Sequence, residues 1–274
     1  MDVLPLRQPA TGRPFEPAAP PLGCKGCREV NAFPIDFTMA FQPIVDVSAG
    51  QVFAYEALVR GLDGSGAHSI VSLADDSNRY AFDQRCRVRA IELAAALGVS
   101  DRGAHVSINF MPNAIYRPEV CIRTTLDTAR RVGFPTENII FEFTEDQQIQ
   151  EPERVLEIVR AYRGMGFMTA IDDFGAGFAG LNLLANFQPD IIKLDMPLIR
   201  DVDQDHVRRS IVSGIVVVCQ ELGIRLVAEG IESAGEYCCL QDLGVELLQG
   251  YLLARPAFES LPPVHMPAGA GLGC

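Results

Sequence analysis

From Phe37 onward the chain alternates short strand-like runs with amphipathic helical stretches, and this alternation constrains its fold more than any single motif. Residues 38–47 and 51–60 read as two strands joined by the turn Ser48-Ala49-Gly50, an opening hairpin. Helices are predicted over 79–97 and 117–132, each stopped by a glycine, Gly98 and Gly133, where a left-handed C-terminal cap is expected. Strands at 105–109, 138–144, 167–172, 190–195, 225–229 and 246–249 alternate with further helices over 152–163, 204–222 and 233–243. Strands alternating with helices call for a parallel sheet. Eight strands, most of them followed by a helix, predict an α/β protein: a modified (β/α)8 TIM-like barrel with one antiparallel strand from the hairpin. A doubly wound open sheet is the alternative, but no Gly-x-Gly-x-x-Gly follows a strand.

The ends of these strands repeat one theme. Side chains two apart on a strand share a face. Glu56 and Arg60 share a face with Ala54 and Leu58, and Asn109 closes the next strand. Glu142 stands between two phenylalanines, and Asp172-Asp173 closes the strand after it. Lys193 and Asp195 share a face, Glu229 closes the following strand and Gln249 the last. Any one of these acids reads as a helix cap or an arginine partner. Seven strands in succession ending in an acid, an amide or a lysine read as a site, because barrel strands converge at their C-terminal ends. Crowded carboxylates need compensation. Oxygen donors without His or Cys favour Mg2+, Mn2+ or Ca2+ over zinc.

Composition sharpens this picture. The 274 residues carry 23 Lys+Arg against 35 Asp+Glu, a formal net charge of −12, which argues against a DNA or RNA polymer and against a polybasic membrane patch. Only Lys25 and Lys193 are lysines, so a lysine placed on a strand between apolar neighbours is a deliberate choice of compact charge. The N-terminus lacks a secretory signal, and the longest apolar run, 215–219, falls far short of the roughly 20 residues needed to span a bilayer. A cytoplasmic protein with reduced thiols is expected, since most of the eight cysteines sit in apolar helical patterns. Cys24 and Cys27 form half a zinc pattern with no second half. Residues 1–35 hold seven of the 18 prolines and read as a flexible leader, 36–262 as the barrel domain and 263–274 as a flexible tail. A leader this short holds no sensor, so regulatory input is expected from a partner protein.

Against this background the residues resemble a known family. Glu56-Ala57-Leu58-Val59-Arg60 is similar to the signature of the EAL domains, phosphodiesterases that open the second messenger cyclic di-GMP. Phe41-Gln42-Pro43-Ile44, Phe141-Glu142-Phe143-Thr144-Glu145, Asp172-Asp173-Phe174-Gly175-Ala176-Gly177, Lys193-Leu194-Asp195, Ala228-Glu229-Gly230-Ile231-Glu232 and Gln249-Gly250-Tyr251 resemble the family's other strands and loops, in order. The resemblance implies that Glu56, Asn109, Glu142 and Asp172 hold one ion, with Asp172 shared and Asp173 serving a second. It implies Glu229 as general base or ligand through water, Lys193 as the group steadying the attacking water and the phosphate, and Gln42, Leu58, Arg60, Asp195, Glu232 and Gln249 as the nucleotide's lining. Glu145 resembles the acid anchoring the loop after the double aspartate. The implied reaction is two-metal hydrolysis to linear pGpG with Mg2+ or Mn2+, inhibited by Ca2+, in a homodimer. Departures concentrate at Ala176, Phe178, Ala179 and Gly180, where the family carries threonine, tyrosine and serines; they bear on loop ordering and dimer coupling, not on the ligands. Two alternatives stay open: a receptor that binds the nucleotide without cleaving it, and an unrelated enolising barrel with Lys193 as proton acceptor.

Overall fold

The structure, a computed structural model, describes residues 31–115, 117–144, 152–176 and 180–267. Eight strands close into a barrel: β1 (Phe37–Asp46), β2 (Gln51–Gly61), β3 (His105–Asn109), β4 (Ile139–Thr144), β5 (Met168–Phe174), β6 (Ile191–Leu194), β7 (Arg225–Ala228) and β8 (Leu247–Leu248). Neighbours from β2 to β8 are parallel, while β1 runs antiparallel to both β2 and β8 and closes the ring. The hairpin expected from the sequence therefore becomes the barrel's one reversed strand. A ninth strand, β9 (Ala257–Phe258), pairs with the outer part of β1 and has no counterpart in the sequence reading.

Helices cover the outside, among them Arg79–Ala96, Pro152–Gly164, His206–Leu222 and Ala234–Asp242. Gly98 and Gly133 adopt φ of 67° and 72°, the left-handed geometry anticipated for their stop signals. The helix expected over 117–132 is instead two pieces, Pro118–Cys121 and Arg123–Val132, separated at the buried Ile122. Asp205 caps His206–Leu222 by accepting from the amides of Val207 and Arg208, and Ser233 with Glu236 forms a capping box on Ala234–Asp242. Cys86, Cys121, Cys219 and Cys239 are buried free thiols, as expected, but Cys238 is disulfide-bonded, against the expectation of reduced thiols. Among the described residues no helix is long and apolar enough to cross a membrane.

Two apolar layers follow from strand alternation. Outward residues such as Phe41, Ile108, Phe141, Ile171 and Leu194 pack under the helices. Inward residues Ile44, Phe53, Ala54, Ile140, Ala170, Ile191, Val227 and Leu247 fill the barrel's lower interior. Phe53 joins the inward set because the β1–β2 register shifts between Ile44 and Val45, leaving it unopposed and turned inward beside Ala54.

Candidate metal centre and active site

One step of the pleat above the inward apolar layer, every strand turns polar. Two residues beyond Ala54, Ile140, Ala170, Ile191, Val227 and Leu247 stand Glu56, Glu142, Asp172, Lys193, Glu229 and Gln249. On the reversed strand the same step runs backwards, from Ile44 to Gln42. The period of two thus places a polar ring at the C-terminal end of an apolar plug.

Lys193 lies at the centre of this ring and is sealed from solvent. Its Nζ is 2.5 Å from Glu229 Oε1, 3.1 Å from Glu142 Oε2, 3.2 Å from Asp172 Oδ1 and 3.5 Å from Glu56 Oε2. Burial alone disfavours its charge, yet Asp172, Glu142, Glu229 and Glu56 together outweigh burial and hold its pKa well above the usual lysine value. Glu142 is pushed up to about 8, first by burial and then by Glu56 and Asp172, against the pull of Lys193 and the Ser107 hydroxyl. Burial raises Glu229 well above the ordinary carboxylate range in the same way. Asp173, raised to about 6, feels burial first and Asp172 next.

Adjacent residues on a strand normally face opposite ways, so a double aspartate presenting both carboxylates to one cavity needs a local break. Asp173 supplies it with a φ of 53°, at the point where the β5–β6 register is interrupted between Ile171 and Phe174. Carboxylate oxygens then gather into two groups, Glu56–Glu142–Asp172 and Asp172–Asp173–Glu229, each with its atoms within 4.8 Å of one another. Asp172 belongs to both. Asn109 Nδ2 donates to Glu56 Oε1 at 3.1 Å, which leaves the amide oxygen available to an ion. Once all are ionised, five carboxylates against one ammonium leave four negative charges in the ring, enough to balance two divalent ions, and every donor is oxygen. The donor set fits hard divalent cations.

The remaining residues singled out from the sequence surround this ring. Gln249 donates to Glu56 Oε2 at 2.8 Å, and Gln42 donates to the Ala254 carbonyl at 3.1 Å. Leu58 and Arg60 are half-buried further up β2, and a groove of about 460 Å3 opens beside Arg60, lined also by Leu62, Asp63, Pro256 and Phe258. Asp195 follows β6 and adds its charge to the field at Asp173. Glu232 is turned instead toward Arg200, 3.1 Å away. Glu145, Phe178, Ala179, Cys24 and Cys27 lie outside the described residues. One participant escaped the sequence reading: Ser107 donates a short hydrogen bond to Glu142 Oε1. Its position two residues before Asn109, on the same face of β3, is the signal that would have found it.

Comparisons with known proteins agree with this geometry. The model of the EAL domain family matches residues 34–256. The blue light- and temperature-regulated antirepressor BluF of Escherichia coli is 33 % identical over 228 residues, 83 % of this chain and 56 % of BluF, so the chain spans little more than half of that relative's length. A standalone EAL protein from Vibrio cholerae, solved with c-di-GMP bound, is 53 % identical, with a TM-score of 0.82 over 85 % of this chain and 98 % of that one. Klebsiella pneumoniae BlrP1, solved with manganese and c-di-GMP, is 33 % identical, with a TM-score of 0.77 over 84 % of this chain and 58 % of that one. Barrel, reversed strand, oxygen ring and family match coincide along the same stretch of sequence: the chain belongs to the EAL domain family.

Proposed function

We propose that this chain hydrolyses cyclic di-GMP to linear pGpG with two divalent ions, Mg2+ or Mn2+, and that Ca2+ holds the site without turnover. The observation that carries this reading is the oxygen ring around Lys193: both ligand groups are complete and share Asp172. Glu56, Asn109, Glu142 and Asp172 are assigned to one ion, and Asp172, Asp173 and Glu229 to the other. When bound, the ions acidify a water and draw charge from the phosphodiester.

The protein's own groups do the rest. Lys193, fixed at the centre of the ring, offers a permanent positive charge toward the attacking water and the phosphate. Glu229 is the carboxylate to take the proton: it is the least enclosed of Lys193's four partners, with a side chain 19 % exposed. Arg60 stands at the rim beside a groove roomy enough for part of a nucleotide, and Gln42, Leu58, Asp195, Glu232 and Gln249 are assigned to its lining. Purified protein given cyclic di-GMP and Mg2+ should release pGpG; failure with Mg2+ and with Mn2+ overturns the proposal.

A receptor that binds without cleaving is the second reading, favoured by the name of BluF, an antirepressor. Retention of all five carboxylates and Lys193 argues for turnover. Binding measured in Ca2+ beside turnover in Mg2+ separates the two. A second copy of the chain is the proposed partner. Helix His206–Leu222 buries Val212, Val216 and Cys219 against the barrel, and it exposes Val207, Ile211, Val218 and Leu222 along a separate stripe on its flank.

A further inference from the structure

Helix Arg79–Ala96 contains a buried ion pair that the proposed chemistry leaves unused. Arg87 and Asp83, one turn apart, are both shut off from solvent, with Nη2 2.7 Å from Oδ2. Desolvation offsets much of the attraction in such a pair, so stability alone is a weak reason for its presence. Its contacts supply a better one. Asp83 Oδ1 accepts a hydrogen bond from the backbone amide of Met111 at 2.9 Å. Arg87 Nη1 donates to Tyr162 Oη at 2.9 Å, and the guanidinium lies 5.6 Å from the ring centre of Phe110 and 5.1 Å from that of Phe141.

These partners sit beside two of the assigned ion ligands. Phe110 and Met111 directly follow Asn109, and Phe141 directly precedes Glu142. Strand alternation turns Phe141 outward onto Arg87 while Glu142 faces the ring. Phe110 is held by its packing on Phe141, Phe143 and Tyr162 and by its amide, which donates to the Glu142 carbonyl at 2.9 Å, whereas Met111 borders a gap. A cavity of about 230 Å3 lies between this helix and the strand ends, lined by Leu58, Phe82, Cys86, Ile108, Asn109 and Met111 among others. The tie from Asp83 to the Met111 amide crosses that loosely packed region.

Resting on the assignment of Asn109 as an ion ligand, we propose that Asp83, oriented by Arg87 and Tyr162, is a positioning residue that fixes the Met111 amide and thereby the Asn109 carboxamide. Supports behind metal ligands commonly set affinity, and their loss costs about 10–100-fold.

Mn2+ affinity, measured by titration calorimetry on the full chain, tests this apart from turnover. Asp83→Leu/Arg87→Met removes the tie and both charges together, leaving no lone buried ion. Its Mn2+ affinity should fall at least about tenfold. Met111→Pro deletes the amide donor and keeps the ion pair, while drawing φ from −101° toward the roughly −65° of proline, and should show a fall at least as large. Asp83→Asn/Arg87→Met keeps an oxygen for the Met111 amide but lacks the guanidinium that orients it, and it should bind Mn2+ more tightly than the Leu/Met variant and less tightly than wild type. Cooperative thermal unfolding reports which variants fold. If the Leu/Met variant does not fold, Met111→Pro decides. Wild-type affinity in either folded variant that lacks the tie overturns the positioning role. A wild type that binds no Mn2+ overturns the reading of the centre, and the positioning role with it.

Discussion

At Lys193 one buried ammonium stands against four carboxylates that are buried or nearly so, and neither side is tolerable there without the other. Lys193→Met leaves the acids without their cation. In the metal-free protein this should cost about 3–5 kcal/mol, the usual penalty for breaking a buried charge set, and Mn2+ should recover part of it in urea unfolding. The pH dependence follows from the same crowding. Glu142 keeps its proton up to about 8 in the folded state, whereas the unfolded chain releases it near 4.5, so folding retains a proton that unfolding gives up. Metal-free stability should therefore fall as pH rises toward 8. His105, lowered to about 4 by burial and Arg225, acts in the opposite direction below 6.5 and is silent above pH 7, which leaves the window from 7 to 8 to Glu142 and to Glu229, whose raised pKa acts in the same direction. Saturating Mn2+ displaces that proton and should flatten the slope; a metal-free slope that is flat between pH 7 and 8 contradicts the account. Lys193 was legible in the sequence because lysine is so rare in it. Ser107 was not, because a serine on a strand carries no signal until its partner Glu142 is placed across from it.

At the scale of elements, the strands were readable because all but β3 follow the same rule, an apolar inward residue with a polar one two positions away toward the site. What the rule does not contain is the connection between neighbouring ends. Gln249 is held where its strand meets the loop after β7: the Ile231 amide donates to the Gln249 carbonyl at 3.2 Å, and the Leu252 amide to the Ile231 carbonyl at 3.1 Å. Gly250 sits between them, and a methyl there would run into the Ile231 backbone, which cannot yield as a side chain does. Gly250→Ala should destabilise the protein by about 1–3 kcal/mol in chemical unfolding, and it should lower turnover through Gln249. Unchanged stability would contradict that close approach. The two-residue β9 and the break at Ile122 were illegible for a different reason: β9 exists only by pairing with β1, and Ile122 is set by burial rather than by Gly or Pro.

At the scale of the whole molecule, the net charge of −12 opposes an anionic nucleotide at long range. The fold turns five of the carboxylates inward around Lys193, where two divalent ions would cancel the local negative charge, so the field at a bound phosphate would be set by the ions, Lys193 and Arg60. Assembly was not readable from sequence periodicity alone, because the exposed stripe on His206–Leu222 separates from the buried one only once the barrel shows which side is covered. Ile211→Glu on that stripe should convert a dimer into a monomer in light scattering while leaving the fold intact; a dimer that persists rules the stripe out as its interface. The central claim is most directly tested by incubating purified chain with cyclic di-GMP in parallel Mg2+, Mn2+ and Ca2+. The account predicts pGpG in the first two, little in Ca2+, and loss of turnover in folded Glu56→Ala and Glu229→Ala. A folded wild type that binds the ions and the nucleotide yet releases no pGpG would contradict it.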